Sequence, residues 1–400
     1  MAKVQSSSDM GVFPEKLDLR IPGPTPVPPA VLRAMSRPMI NHRGPEFAEL
    51  LGRVTRRLQD LMQTEQYVAI LTGSGTAGME AACANLISPG DPVLVLEGGV
   101  FGQRWGEIAQ AFGARVHRYE YPWETGADPD ELARRLRATP GVKVVFATHN
   151  ESSTGVLNDI EALSRVVREA APDALLVVDS VSGLGGAPLA MDAWGIDAVV
   201  SASQKCIMAP PGMAFVALSE RAWRRVAESR APRFYLDLAA HRRLYEKGQT
   251  PWTPAVSVLY ALDEALALME AEGAEARLAR HRLMRDMVRA GLAAAGFELM
   301  VQERWASPTV TAVRPPAGVD VEAVRRVARQ ELGVVFSGGQ GKLSGQILRV
   351  GHMGYATPMD MVGAVAAAEM ALMRLGVPVS PGAGVAAAQR VWVEAGGARR

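Results

Sequence analysis

The chain has 400 residues, 48% of them hydrophobic and 21% charged, a length that suggests two domains and a composition ordinary for a globular protein in water. Its 43 Lys and Arg against 42 Asp and Glu leave a formal charge of +1, which argues against nucleic acid as the main partner. The two cysteines, Cys83 and Cys206, make neither a disulfide framework nor a metal-ligand pair, and no apolar run approaches the roughly 20 residues that span a bilayer.

Residues 1–22 read as an N-terminal arm without the apolar core of a signal peptide, so a cytoplasmic protein is expected. The prolines from Ile21 to Met35 fix an extended path and then start a short helix. His42 and Arg43 sit in a loop, either solvated or at a site entrance, and Phe47 to Met62 has helical spacing. Tyr67 to Thr72 is a short buried strand running into GSGTAG, Gly73 to Gly78, and then a helix. That order places backbone N–H groups at a helix N-terminus, where a phosphate is favoured. The spacing also matches GxGxxG, with Glu97 where a ribose-binding acid would stand, so a dinucleotide-binding protein is one reading.

Strand and helix then alternate. PVLVLE, ARVHRYEY, VKVVFATHN, ALLVVDSV and IDAVVSAS are the strands, mostly continuous apolar runs covered on both faces. The pattern predicts a mainly parallel sheet with right-handed crossovers and a ligand beyond the strands' C-terminal ends. That rule selects Ser74 to Thr76, Gly98 to Phe101, Asn150 to Thr154, Asp179 to Val181 and Ser203 to Lys205. After the rigid turn Pro251 to Pro254 come two helices, 257–273 and 275–295, and then a smaller α+β region. The expected domains are 23–275 and 276–376, followed by an Ala/Gly/Pro-rich tail, 377–400, expected to be weakly specified.

Two residues carry the chemistry. Asp179 follows LLVV at a strand end, where a carboxylate is costly unless a cation pairs with it. Lys205 lies between a buried strand and the APPG turn. It is either a surface lysine or one kept from bulk water so that its amine can attack a carbonyl. An acid for a protonated pyridine nitrogen, a lysine for an aldehyde and a helix N-terminus for a phosphate are what pyridoxal phosphate requires. A nicotinamide dinucleotide leaves Asp179 and Lys205 without a role.

PGPTPVPP, GSGTAGMEA, GGVFGQRW, HNESSTGV, VVDSVSGLGG, SASQKCIMAPPG, TPWTPAVS and ILRVG together make residues 22–375 resemble the class V, fold-type I pyridoxal-phosphate aminotransferases, in particular the alanine–glyoxylate and serine–glyoxylate group. The resemblance implies a homodimer of α/β subunits, each with a seven-stranded, mainly parallel sheet and a small C-terminal domain. It implies that Lys205 forms the Schiff base and shuttles the proton, and that Asp179 pairs with the pyridine N–H. Ser74, Gly75, Thr76 and Gln204 would bind the phosphate. Phe101 and Val181 would cover the two ring faces, and Ser152 would lie near the phenolic oxygen. Thr253 would reach the neighbouring subunit's phosphate, and Arg349 would hold the substrate α-carboxylate. This chain carries Thr76 where relatives have histidine, and Thr250 where animal relatives have tyrosine.

The implied activity is a ping-pong transamination from serine or alanine to glyoxylate or pyruvate. No second basic residue is obviously placed for a distal carboxylate, although His42, Arg43 and Arg104 could approach the mouth. Alternatives inside the family are ureidoglycine–glyoxylate or aminoethylphosphonate aminotransferases; outside it, a non-catalytic protein on this scaffold or a dinucleotide-dependent dehydrogenase. Gln204 before Lys205, and no cysteine after Cys206, make a cysteine desulfurase a poor match.

Overall fold

A computed structural model describes residues 17–397. Seven strands form the main sheet, in the order Val68–Thr72, Met213–Leu218, Ala198–Ala202, Leu175–Asp179, Val144–Thr148, Pro92–Glu97, Arg115–Glu120. All pairings are parallel except those of Met213–Leu218, which is antiparallel to both neighbours. The expected α/β architecture is therefore present. Strands such as Leu175–Asp179 and Ala198–Ala202 are buried throughout, because helices cover both faces. One apolar layer gathers Leu94, Val145, Leu176, Val199 and Phe215 on one face; the other gathers Val95, Phe146, Val177, Val200 and Val216. Successive residues point to opposite layers, the period-2 geometry of a strand.

The antiparallel strand was not legible as such in MAFVAL. The chain reverses through Ala209–Gly212 and lies back between its neighbours, with Gly212 at φ 136°. Beyond it the helices Glu220–Glu228 and Leu238–Tyr245 occupy a stretch with no clear sequence signal; Ser219 and Asp237 cap them by accepting from Ala222 N–H and Ala239 N–H.

A second sheet, in the order Glu298–Leu299, Val310–Arg314, Leu348–Gly351, Ser337–Gly338, is antiparallel throughout and packs on helices Ala274–Ala294, Val321–Leu332 and Pro358–Arg374. Of the expected arm, residues 1–16 lie outside the described residues. Asp18–Leu19 pairs in parallel with Val334–Val335, and Arg20 bonds Asp18 and lies 3.4 Å from Asp360, so the following residues are held in place.

The expected tail is a helix, Ala383–Gly397, packed on Ala274–Ala294. Its Ala/Gly composition is what the close approach requires. A Cβ on Gly291 would stand 2.7 Å from Val365 and 3.1 Å from Gly384 O. Gly291→Ala is expected to force these helices apart and lower stability by about 1–3 kcal/mol, the usual cost of overpacking. Thermal or urea unfolding checks it; an unchanged midpoint would show that the contact yields freely. Among the described residues no helix is long and apolar enough to cross a membrane.

Candidate active site

Asp179 is the last residue of its strand, in register with Thr148 on one side and Val200 on the other. The next strand ends at Ala202, and Ser203 organises the turn after it. Its Oγ donates to Pro210 O at 2.7 Å and accepts from Met213 N–H, while Met208 N–H closes onto Lys205 O at 2.9 Å. The two groups therefore emerge at one edge of the sheet, as their spacing predicts.

The Lys205 side chain rises against the N-terminal segment. Its Nζ donates to Pro22 O at 2.5 Å, and Thr25 donates to Lys205 O. Gly23 has φ +100°, and a Cβ there would stand 2.5 Å from Lys205 Cδ, so only glycine passes over the lysine. PGPT is thus a strap over the amine, a role its sequence did not reveal. Burial lowers the Lys205 pKa to about 8, with Asp179 opposing and Arg349 reinforcing the shift. Burial also raises Asp179 to about 7, offset in part by Val181 N–H, which donates to its Oδ1 at 2.7 Å. No basic group among the described residues lies within ion-pair distance of Asp179.

The GSGTAG helix begins inside the motif, at Gly75, with Ser74 as N-cap. The Ser74 side chain caps nothing, so the first N–H groups of the helix remain available. Gly75 lies against Val181, which its missing Cβ permits. Arg104 donates from Nη1 to Thr76 Oγ1 at 3.3 Å, and its guanidinium lies 4.7 Å from the Phe101 ring centroid. Phe101 and Arg104 are three residues apart on the helix Val100–Ala111, a spacing that puts them on one face. Gln204, the residue before Lys205, has its Oε1 buried without a partner among the described residues.

Arg349 comes from the second sheet, where Leu348–Gly351 pairs with Val310–Arg314. It is 5% exposed. Nε donates to Gly338 O at 2.8 Å and Nη1 to Ser152 O at 2.7 Å, so carbonyls hold the fork while no carboxylate among the described residues pairs with it. Burial lowers its pKa to about 10. Arg349→Lys keeps the charge and loses the fork. We expect KM for an amino-acid donor to rise about ten- to hundred-fold, as for loss of a charged hydrogen bond, with kcat changed less. Steady-state kinetics check this; equal KM values would deny Arg349 any contact with the donor.

Other predicted residues lie elsewhere. Thr253 is exposed in the loop beside the aromatic group Phe234, Tyr235 and Trp252, and is not bonded to the helix N-terminus at Gly75. Arg43 is tied to Gln249 and Thr250. Cys206 is buried, with Sγ 3.6 Å from Ser182 O and a pKa pushed up to about 12 by burial. Glu97, the acid of the dinucleotide reading, is ion-paired with Arg118. It has no free oxygen pair to offer a ribose.

The residues present fit pyridoxal phosphate. The buried Asp179, with no ion-pair partner among the described residues, suits a cation, Lys205 offers a partly deprotonated amine, and the uncapped helix N-terminus leaves N–H donors for a phosphate ester to engage.

Comparison with known proteins agrees. The family model "Aminotransferase class-V" matches residues 19–356. Among curated relatives, the "Soluble hydrogenase, small subunit" of Synechococcus sp. is 43% identical over 94% of this chain and 98% of that protein. The L-aspartate–glyoxylate aminotransferase of Paracoccus denitrificans is 38% identical (92% and 94%), and the serine–glyoxylate aminotransferase of Methylorubrum extorquens 34% (94% and 96%). The solved pyridoxamine–pyruvate aminotransferase from Mesorhizobium loti superposes with a TM-score of 0.91 at 36% identity, over 96% of this chain and 99% of that one.

Proposed function

The chain belongs to the class-V aminotransferases, enzymes that use pyridoxal phosphate to move amino groups onto 2-oxo acids, and from that membership we propose that it transfers the amino group of serine or alanine to glyoxylate or pyruvate, the donor's oxo acid leaving before the acceptor binds. The observation that carries the reading is the pair Asp179 and Lys205. They are oppositely charged groups at adjacent strand ends, each pushed towards neutrality by burial and neither held in an ion pair.

Pyridoxal phosphate, when bound, supplies an aldehyde that condenses with amines and a ring that draws electrons from the bond to be broken. In this reading Ser74, Gly75, Thr76 and Gln204 hold the phosphate. Asp179 would keep the ring nitrogen protonated. Phe101 and Val181 would flank the ring, and the Ser152 hydroxyl would be a further polar contact for it. Lys205 Nζ would hold the cofactor at rest and would remove the proton from the donor's α-carbon during turnover. Its lowered pKa suits it to that task near neutral pH. Arg349 fixes the α-carboxylate and so aims the α-carbon at Lys205.

A second copy of the chain completes the site in this reading. Thr253 is exposed, and beside it Phe234 is 76% exposed and packs tilted against Trp252, ring centroids 4.8 Å apart. Such a patch suits a partner subunit that takes Thr253 to its own phosphate.

One observation favours a second donor class. Arg104 stands beside Phe101 and Thr76 with no carboxylate partner among the described residues, a cation the sequence alone did not place in the site. Its contact with Thr76 puts it on the phosphate side, where it would neutralise the ester. If it faces the substrate instead, the donor is aspartate. Loaded enzyme given serine, alanine or aspartate separately, with glyoxylate as acceptor and glycine as the product measured, decides between them. Turnover with serine or alanine at least ten-fold above aspartate supports the primary reading; the reverse order supports the second. No amino-acid product from any of the three, with glyoxylate or with pyruvate as acceptor, would overturn both.

A further inference from the structure

Resting on the function proposed above, we propose that Glu151 is a positioning residue for the reaction: one buried carboxylate that fixes the Phe101 wall of the site and the turn holding Arg349 relative to each other. Glu151 is 2% exposed and lies just past the strand Val144–Thr148. Its Oε2 accepts from Phe101 N–H and Gly102 N–H, both at 3.0 Å. Its Oε1 accepts from Ser153 N–H at 3.1 Å and from Ser153 Oγ at 2.5 Å. Ser153 Oγ in turn accepts from Val100 N–H at 3.0 Å. The three N–H groups that open the helix Val100–Ala111 thus all end on this Glu–Ser pair, fifty residues away in sequence. A helix ordinarily satisfies these donors with its own N-cap side chain; here the N-cap is Gly99, where a Cβ would stand 2.3 Å from the Glu151 carboxyl carbon.

The same residue organises its own turn. Glu151 O accepts from Thr154 N–H and Gly155 N–H, and the intervening Ser152 offers its carbonyl to Arg349. Phe101 comes from the helix Val100–Ala111 and Arg349 from the second sheet, and in the proposed reading they would contact different parts of the reacting pair. Glu151 is the side chain through which their supports meet.

Its charge matters as well as its shape. Among the described residues no cation pairs with Glu151; burial raises its pKa, and the four hydrogen bonds and the helix N-terminus oppose that rise by favouring the ionised form. The two charged groups it acts on across the site are Arg349, whose charged form it favours, and Asp179, whose proton it helps retain. Neutralising Glu151 would therefore move both a wall and a field.

Glu151→Gln keeps the volume, but its amide nitrogen must face donors on one side. The test titrates cofactor-loaded protein with 2-methylalanine, which has the amine and carboxylate of a donor but no α-proton, following the cofactor's absorption and visible circular dichroism. Glu151→Gln is expected to retain the cofactor, to change its circular dichroism, and to bind 2-methylalanine at least about ten-fold more weakly, as for a small misplacement of a reacting group. With alanine, KM should rise more than kcat falls. Wild-type affinity and circular dichroism in the variant would overturn the proposal, and so would a lowered melting temperature with both signals unchanged. If Glu151→Gln does not fold, Ser153→Ala removes the link to Val100 N–H and leaves the carboxylate. A weaker shift in the same direction then supports the proposal, and none overturns it. Failure of the wild-type protein itself to take up cofactor or 2-methylalanine would overturn the functional reading as a whole, a result distinct from variant and wild type behaving alike.

Discussion

Lys205→Ala is expected to reduce transamination by at least about 10³-fold, the range in which a positioned proton-transfer group contributes. Lys205 Nζ is held at the strap Pro22–Thr25 by Pro22 O. The variant should still bind pyridoxal phosphate, because the helix N-terminus at Gly75 and the Asp179 carboxylate are untouched. Added methylamine should restore part of the rate, since a small free amine can enter the space vacated and move the proton. Turnover above a tenth of wild type, without added amine, would remove Lys205 from the chemistry. The wild-type lysine carries a further expectation. Its pKa lies near 8, so the fraction of free amine grows about ten-fold per pH unit below that value and levels above it. Stopped-flow loading of cofactor-free protein between pH 6 and 9 should follow that curve; a rate still climbing steeply at pH 9 would place the amine in bulk water.

Asp179→Asn is expected to lower kcat by about 10²–10³-fold, the scale on which a preorganised charge acts in a buried site. The amide can still accept from Val181 N–H, so the fold should hold. The cofactor-free protein should in fact gain stability. Asp179 is protonated more readily folded, at about 7, than unfolded, near 3.8. Below pH 4 both states carry the proton and the residue costs nothing. As pH rises from 4 to 7 the unfolded chain ionises while the native state resists, and stability falls; above 7 the penalty is constant. The advantage of Asp179→Asn over wild type should therefore open between pH 4 and 7, to a few kcal/mol at most. Unfolding midpoints of the two cofactor-free proteins across that range test this, and a gap that closes with rising pH would contradict it.

The sheet was legible because its strands are continuous apolar runs that end in chemistry: LLVV before Asp179, IDAVV before the Lys205 loop. Met213–Leu218 was not, because a short apolar run after a Pro/Gly turn gives no direction. The helix Ala383–Gly397 is hidden in the sequence because its signal is close packing at Gly291 and Gly384, and small residues look the same in a loop. In the site, Asp179 and Lys205 followed from burial and strand spacing. Pro22, Gly23 and Glu151 did not, since their contacts join segments far apart in sequence and no local pattern marks them. Arg104 was visible as a charge but its direction was not; only the helix phase, shared with Phe101, turns it inward.

The most direct test of the central claim is the first half of the exchange alone. Cofactor-loaded protein is mixed with excess serine or alanine and no acceptor, and the oxo acid released is counted. The account predicts about one equivalent per chain, with loss of the aldehyde's absorption, and recovery of that absorption when glyoxylate is added. Release that continues past one equivalent without acceptor, or no release until an acceptor is present, would contradict it.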